Sequence, residues 1–106
     1  MSSEEFKLML CDLYEMDLYF PKSSFYIKDF TKASYSVWAI QELGNYVGFC
    51  LGPPGTVRTT DEIINYVKKF QKEMDGFSKL NPLTEQMFSI AKDIATNVLD
   101  VLLAMK

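Results

Sequence analysis

The residues predict an all-α protein, a four-helix bundle forming a single helical domain over 1–106, on three observations. Apolar side chains recur at helical spacing through most of the chain, capping and breaking residues bracket the runs, and the last run is apolar around roughly half its circumference. The expected helices cover about 3 to 20, 32 to 51, 60 to 75 and 82 to 105, with short links that make neighbours mostly antiparallel.

The first helix opens on Ser2 and Glu5, which have the spacing of a capping box. Phe6, Met9, Leu10, Leu13, Met16 and Phe20 then share one face until Pro21 stops the run. Leu8, Leu18 and Tyr19 fall outside that stripe, among or beside Asp12 and Glu15. Two readings fit this face: scattered exposed apolar residues of no consequence, or a partly acidic contact surface for another protein.

Residues 21–30 lack helix signals and read as a loop or short extended segment. The stretch 32–51 supports a helix with Thr31 as cap, an apolar arc of Tyr35, Ala39, Ile40, Leu43, Tyr46, Val47 and Cys50, and a stop at Gly52 before Pro53 and Pro54. It also supports strands from Tyr35 to Gln41 and from Tyr46 to Leu51 around Gly44 and Asn45. In that reading 24–51 is a small antiparallel meander and the domain is α+β. The helix is preferred because alternation of period two breaks at Trp38 to Ile40. In a helix, Gly44, Gly48 and Gly52 fall at spacing four, and the first two cost about 1 kcal/mol each relative to alanine. Close approach of another backbone is the expected compensation. The same spacing occurs in membrane helices, but Gln41, Glu42 and Asn45 interrupt this one, and no membrane partner is expected.

Thr59 with Glu62, or Thr60 as the cap itself, opens the third helix, whose stripe is Ile63, Val67, Phe70 and Met74, with Lys68, Lys69 and Lys72 on a solvated face and Gly76 as its end. Asn81 and Pro82 cap and start the fourth. One seam of that helix is Leu83, Met87, Ile90, Ile94, Val98, Val101 and Met105, and the other is Phe88, Ala91, Ala95, Leu99 and Leu102. So wide an arc suggests self-association as a homodimer, with Leu99, Leu102, Leu103 and Met105 as the contact.

Chemistry is limited by composition. The chain contains no histidine, which removes Ser-His-Asp and Cys-His nucleophile pairs and carboxylate-histidine metal sites. Two cysteines, Cys11 and Cys50, are too few for a zinc cluster and read as reduced packing residues of a cytoplasmic protein, although their pairing stays open. Ser89 and Lys92 have Ser-x-x-Lys spacing without the further motifs acyl transfer needs. Gly52 to Gly55 with Arg58 lacks the lysine and hydroxyl spacing of a phosphate loop. A net charge of -3 disfavours nucleic acid as partner. No catalytic, metal or cofactor-binding residues are assigned. The leading expectation is a non-enzymatic protein-interaction module, a regulator, inhibitor or adaptor. The alternative is a carrier or sensor of a small apolar ligand, with a pocket of Tyr35, Trp38, Tyr46 and Phe49.

Overall fold

Local signals place the helix starts. The Glu5 N–H donates to Ser2 Oγ at 3.2 Å, and the Glu62 N–H donates to Thr59 Oγ1 at 3.2 Å, so each hydroxyl satisfies a backbone donor that its first turn leaves over. In the computed structural model, residues 1–14, 30–53 and 55–106 are described. They form α1 (Ser3–Tyr14), α2 (Phe30–Leu51), α3 (Thr60–Leu80) and α4 (Glu85–Ala104), with one 3-10 turn at Pro82–Thr84. No strand occurs among the described residues.

Sequential helices run antiparallel. Ser3 and Lys7 of α1 meet Gly48 and Gly44 of α2 in reverse order. Asp75 and Gln71 of α3 bond Lys92 and Thr96 of α4, and at the far end Lys106 pairs with Asp61. The most extensive packing is between α3 and α4, followed by α2 on α4.

One core joins all four helices. Phe6 and Leu10 come from α1; Ile40, Leu43, Val47 and Leu51 from α2; Ile63, Val67, Phe70 and Met74 from α3; and Ile94, Val98, Leu99 and Leu102 from α4. Burial of each large side chain contributes roughly 1.5–3 kcal/mol gross, which isolated helices of 12 to 22 residues in water do not have. Tyr14 ties α1 to α4, its hydroxyl donating to the Ile94 carbonyl at 3.1 Å. Burial pushes the Tyr14 phenol above its ordinary pKa, partly opposed by a hydrogen bond with Asn97.

Several expectations change. The first helix is described only to Tyr14, and its expected continuation to Phe20 lies outside the described residues. Residues 30–51 are one helix, and its start at Phe30 puts Thr31 inside the first turn instead of at the cap. It ends as expected, with Gly52 at φ +93. Gly76 does not end α3, which continues to Leu80. Two contacts hold that extra turn: Lys79 pairs with Asp75 at 3.2 Å, and the Phe77 ring lies 5.4 Å from Phe88. A Cβ at Gly76 would meet nothing within 4 Å, so Gly76→Ala is expected to raise stability by about 1 kcal/mol, readable as a higher denaturant midpoint at unchanged slope. Leu83, expected to start a core seam, is 95 % exposed because the chain is still in the 3-10 turn there. Met105 at the other end is 53 % exposed and Leu13 of α1 is 38 % exposed.

Asp75 makes a pH-dependent clamp between α3 and α4. Lys92 at 2.9 Å and Lys79 hold its carboxyl below the ordinary carboxylate range. A depressed folded-state pKa adds stability above the unfolded-state value of about 3.9, and the gain is lost as pH falls through the lower folded-state value. Asp75→Asn is therefore expected to be less stable than wild type at neutral pH and to match it in strong acid, checked by thermal unfolding across pH.

Candidate functional site

Exposure of a residue on α4 depends on which side faces α2 and α3. Leu99 is 7 % exposed and Leu102 is fully buried, so neither belongs to a self-association contact. The second seam and the middle of the first find cover within the chain, through Ala91, Ile94, Ala95 and Val98 as well as these two leucines, while the first seam's ends at Leu83 and Met105 stay exposed. Leu103 and Met105 remain on the surface, at 48 % and 53 % exposed.

On α1, Leu8 is 65 % exposed and Asp12 is exposed, consistent with their placement off the core stripe. Glu15, Leu18 and Tyr19 lie outside the described residues.

The four aromatic residues expected to form one pocket do not converge. Trp38 packs edge-on against Phe88 with ring centroids 5.9 Å apart, while Tyr46 tilts against Phe70 at 5.7 Å. Phe88 also faces Phe77, which lies about two helical turns along α3 from Phe70, so the two contacts sit at different levels of the bundle. Tyr35 is half-buried, and Phe49 points outward at 88 % exposed. Tyr46 is turned about 80° from Trp38 around α2, and Phe49, which returns to nearly the same direction as Trp38, lies about three turns further along the helix.

The residues singled out for chemistry are engaged structurally. Lys92 bonds Asp75, leaving the Ser89 and Lys92 pair without a free amine. Burial raises the Cys50 thiol above its ordinary pKa, with Lys69 pulling the other way and Glu73 adding to the rise. Cys50 is thus a thiol at neutral pH, and a poor nucleophile. Burial likewise raises Tyr46, with Glu73 adding to it. Cys11 and Cys50 are both free. The α2–α3 connection is an interhelix turn: Gly52 and Gly55 take positive φ, the Thr56 N–H donates to the Pro53 carbonyl at 3.2 Å, and Arg58 Nε lies 3.6 Å from Glu62 Oε2. The Met1 ammonium donates to the Arg58 carbonyl at 2.6 Å, and the Arg58 N–H returns a bond to Met1. Lys68, Lys69 and Lys72 are exposed as expected, with Lys69 lying 5.8 Å above the Tyr66 ring. Among the described residues no group of three or more acids and cysteines is placed to hold a metal ion, and no helix is long and apolar enough to cross a membrane.

Two surface features remain. At the α3–α4 turn, Phe77, Leu80 and Leu83 are 46 %, 80 % and 95 % exposed, with Phe77 and Leu80 three apart on one face. Between α1 and α2 lies a groove of about 270 Å³, walled by Lys7, Leu10 and Cys11 on one side and by Ile40, Gln41, Gly44 and Asn45 on the other. At Gly44 and Gly48 α1 comes close enough that a Cβ added to either glycine would touch it. Their nearest neighbours are side-chain atoms of Lys7, Leu10 and Ser3, at ordinary contact distances of 3.5–3.9 Å.

Fold and surface together define an antiparallel four-helix bundle with an exposed apolar turn and a half-open groove between its first two helices. Comparison with protein-family models, with curated proteins and with solved structures finds no match to this chain.

Proposed function

We propose that this chain is a non-enzymatic protein-interaction module of the cytoplasm, acting as a regulator, inhibitor or adaptor by binding another protein. The observation that carries this reading is the α3–α4 turn, where Leu80 and Leu83 stand almost wholly in solvent beside Phe77. Large aliphatic side chains grouped at the end of a rigid helical hairpin cost solubility and return nothing to the fold, whereas against a partner each contributes burial. The absence of histidine, the protonated Cys50 and the occupied Lys92 support the non-enzymatic part. Self-association uses Leu103 and Met105, exposed at the opposite end of α4.

The two ends are separable by experiment. One double variant carries Leu80→Ser and Leu83→Ser, and the other carries Leu103→Ser and Met105→Ser; both are expected to unfold at nearly the wild-type temperature. Native mass spectrometry of wild type is expected to show a dimer that only the second variant loses. A wild type that is monomeric at every concentration ends the self-association part. Binding of a host protein by wild type that the first variant loses is the expected result for the turn, and equal binding by that variant removes the turn from the proposal.

A further inference from the structure

We draw no further inference here: the strongest candidate, the apolar patch at the end of the bundle where Phe49, Val57, Leu103 and Met105 are exposed, is an unpartnered surface, and nothing in the structure shows what covers it.

Discussion

Leu102→Asp is expected to unfold the bundle, whereas the same substitution at Leu103 leaves it folded. The two residues are adjacent, yet Leu102 is fully buried between α4 and its neighbours and Leu103 is 48 % exposed. A carboxylate at 102 would have to stay ionised without a partner in an apolar core or take up a proton at a cost, and the leucine's own packing is lost as well. The sum is expected to exceed about 4 kcal/mol, most of what a domain of this size has in reserve. At 103 the carboxylate reaches water. Its remaining cost is partial loss of apolar contact and a negative charge near a helix C-terminus, together about 1 kcal/mol or less. Far-UV circular dichroism and urea denaturation of the two variants decide the matter. A folded Leu102→Asp protein with altered oligomeric state would place Leu102 at an interface and sink the assignment of α4 to an intramolecular core.

Phe6→Ala is expected to cost about 3–5 kcal/mol and to release α1 before the rest of the bundle. The described anchors of α1 are Phe6, Leu10 and the Tyr14 hydrogen bond. Phe6 is the largest of these, with no exposed surface. By contrast α3 and α4 hold each other through Phe70, Val67, Ile94, Val98 and the Asp75 ion pairs. Hydrogen exchange read residue by residue is the measurement: α1 amides should lose protection while α3 and α4 keep theirs. Equal loss in all four helices would show that α1 is no separable unit.

The helices were legible where one local signal sufficed. Ser2 and Thr59 cap as their spacing implies, Gly52 stops α2 with a positive φ, and the stripe of Ile63, Val67, Phe70 and Met74 is buried throughout. Gly76 misled because its cost of about 1 kcal/mol is smaller than what Phe77 and Lys79 recover by extending the helix. The candidate sites were less legible. Leu83 and Leu99 look alike as members of apolar seams, but only a neighbouring helix decides which is covered. Trp38 and Phe49 are both aromatic residues of one helix, and one packs on Phe88 while the other faces solvent.

The sequence by itself determined the helical class, the starts of the first and third helices, the identity of most core residues and the lack of a histidine-based site, because periodicity, capping and composition are local properties. Only the tertiary structure decided that 30–51 is one helix and that the middle of α4's apolar arc is covered within the chain while Leu83 and Met105 are not. Those outcomes depend on which surface another helix covers, and burial is a relation between segments that no single segment encodes.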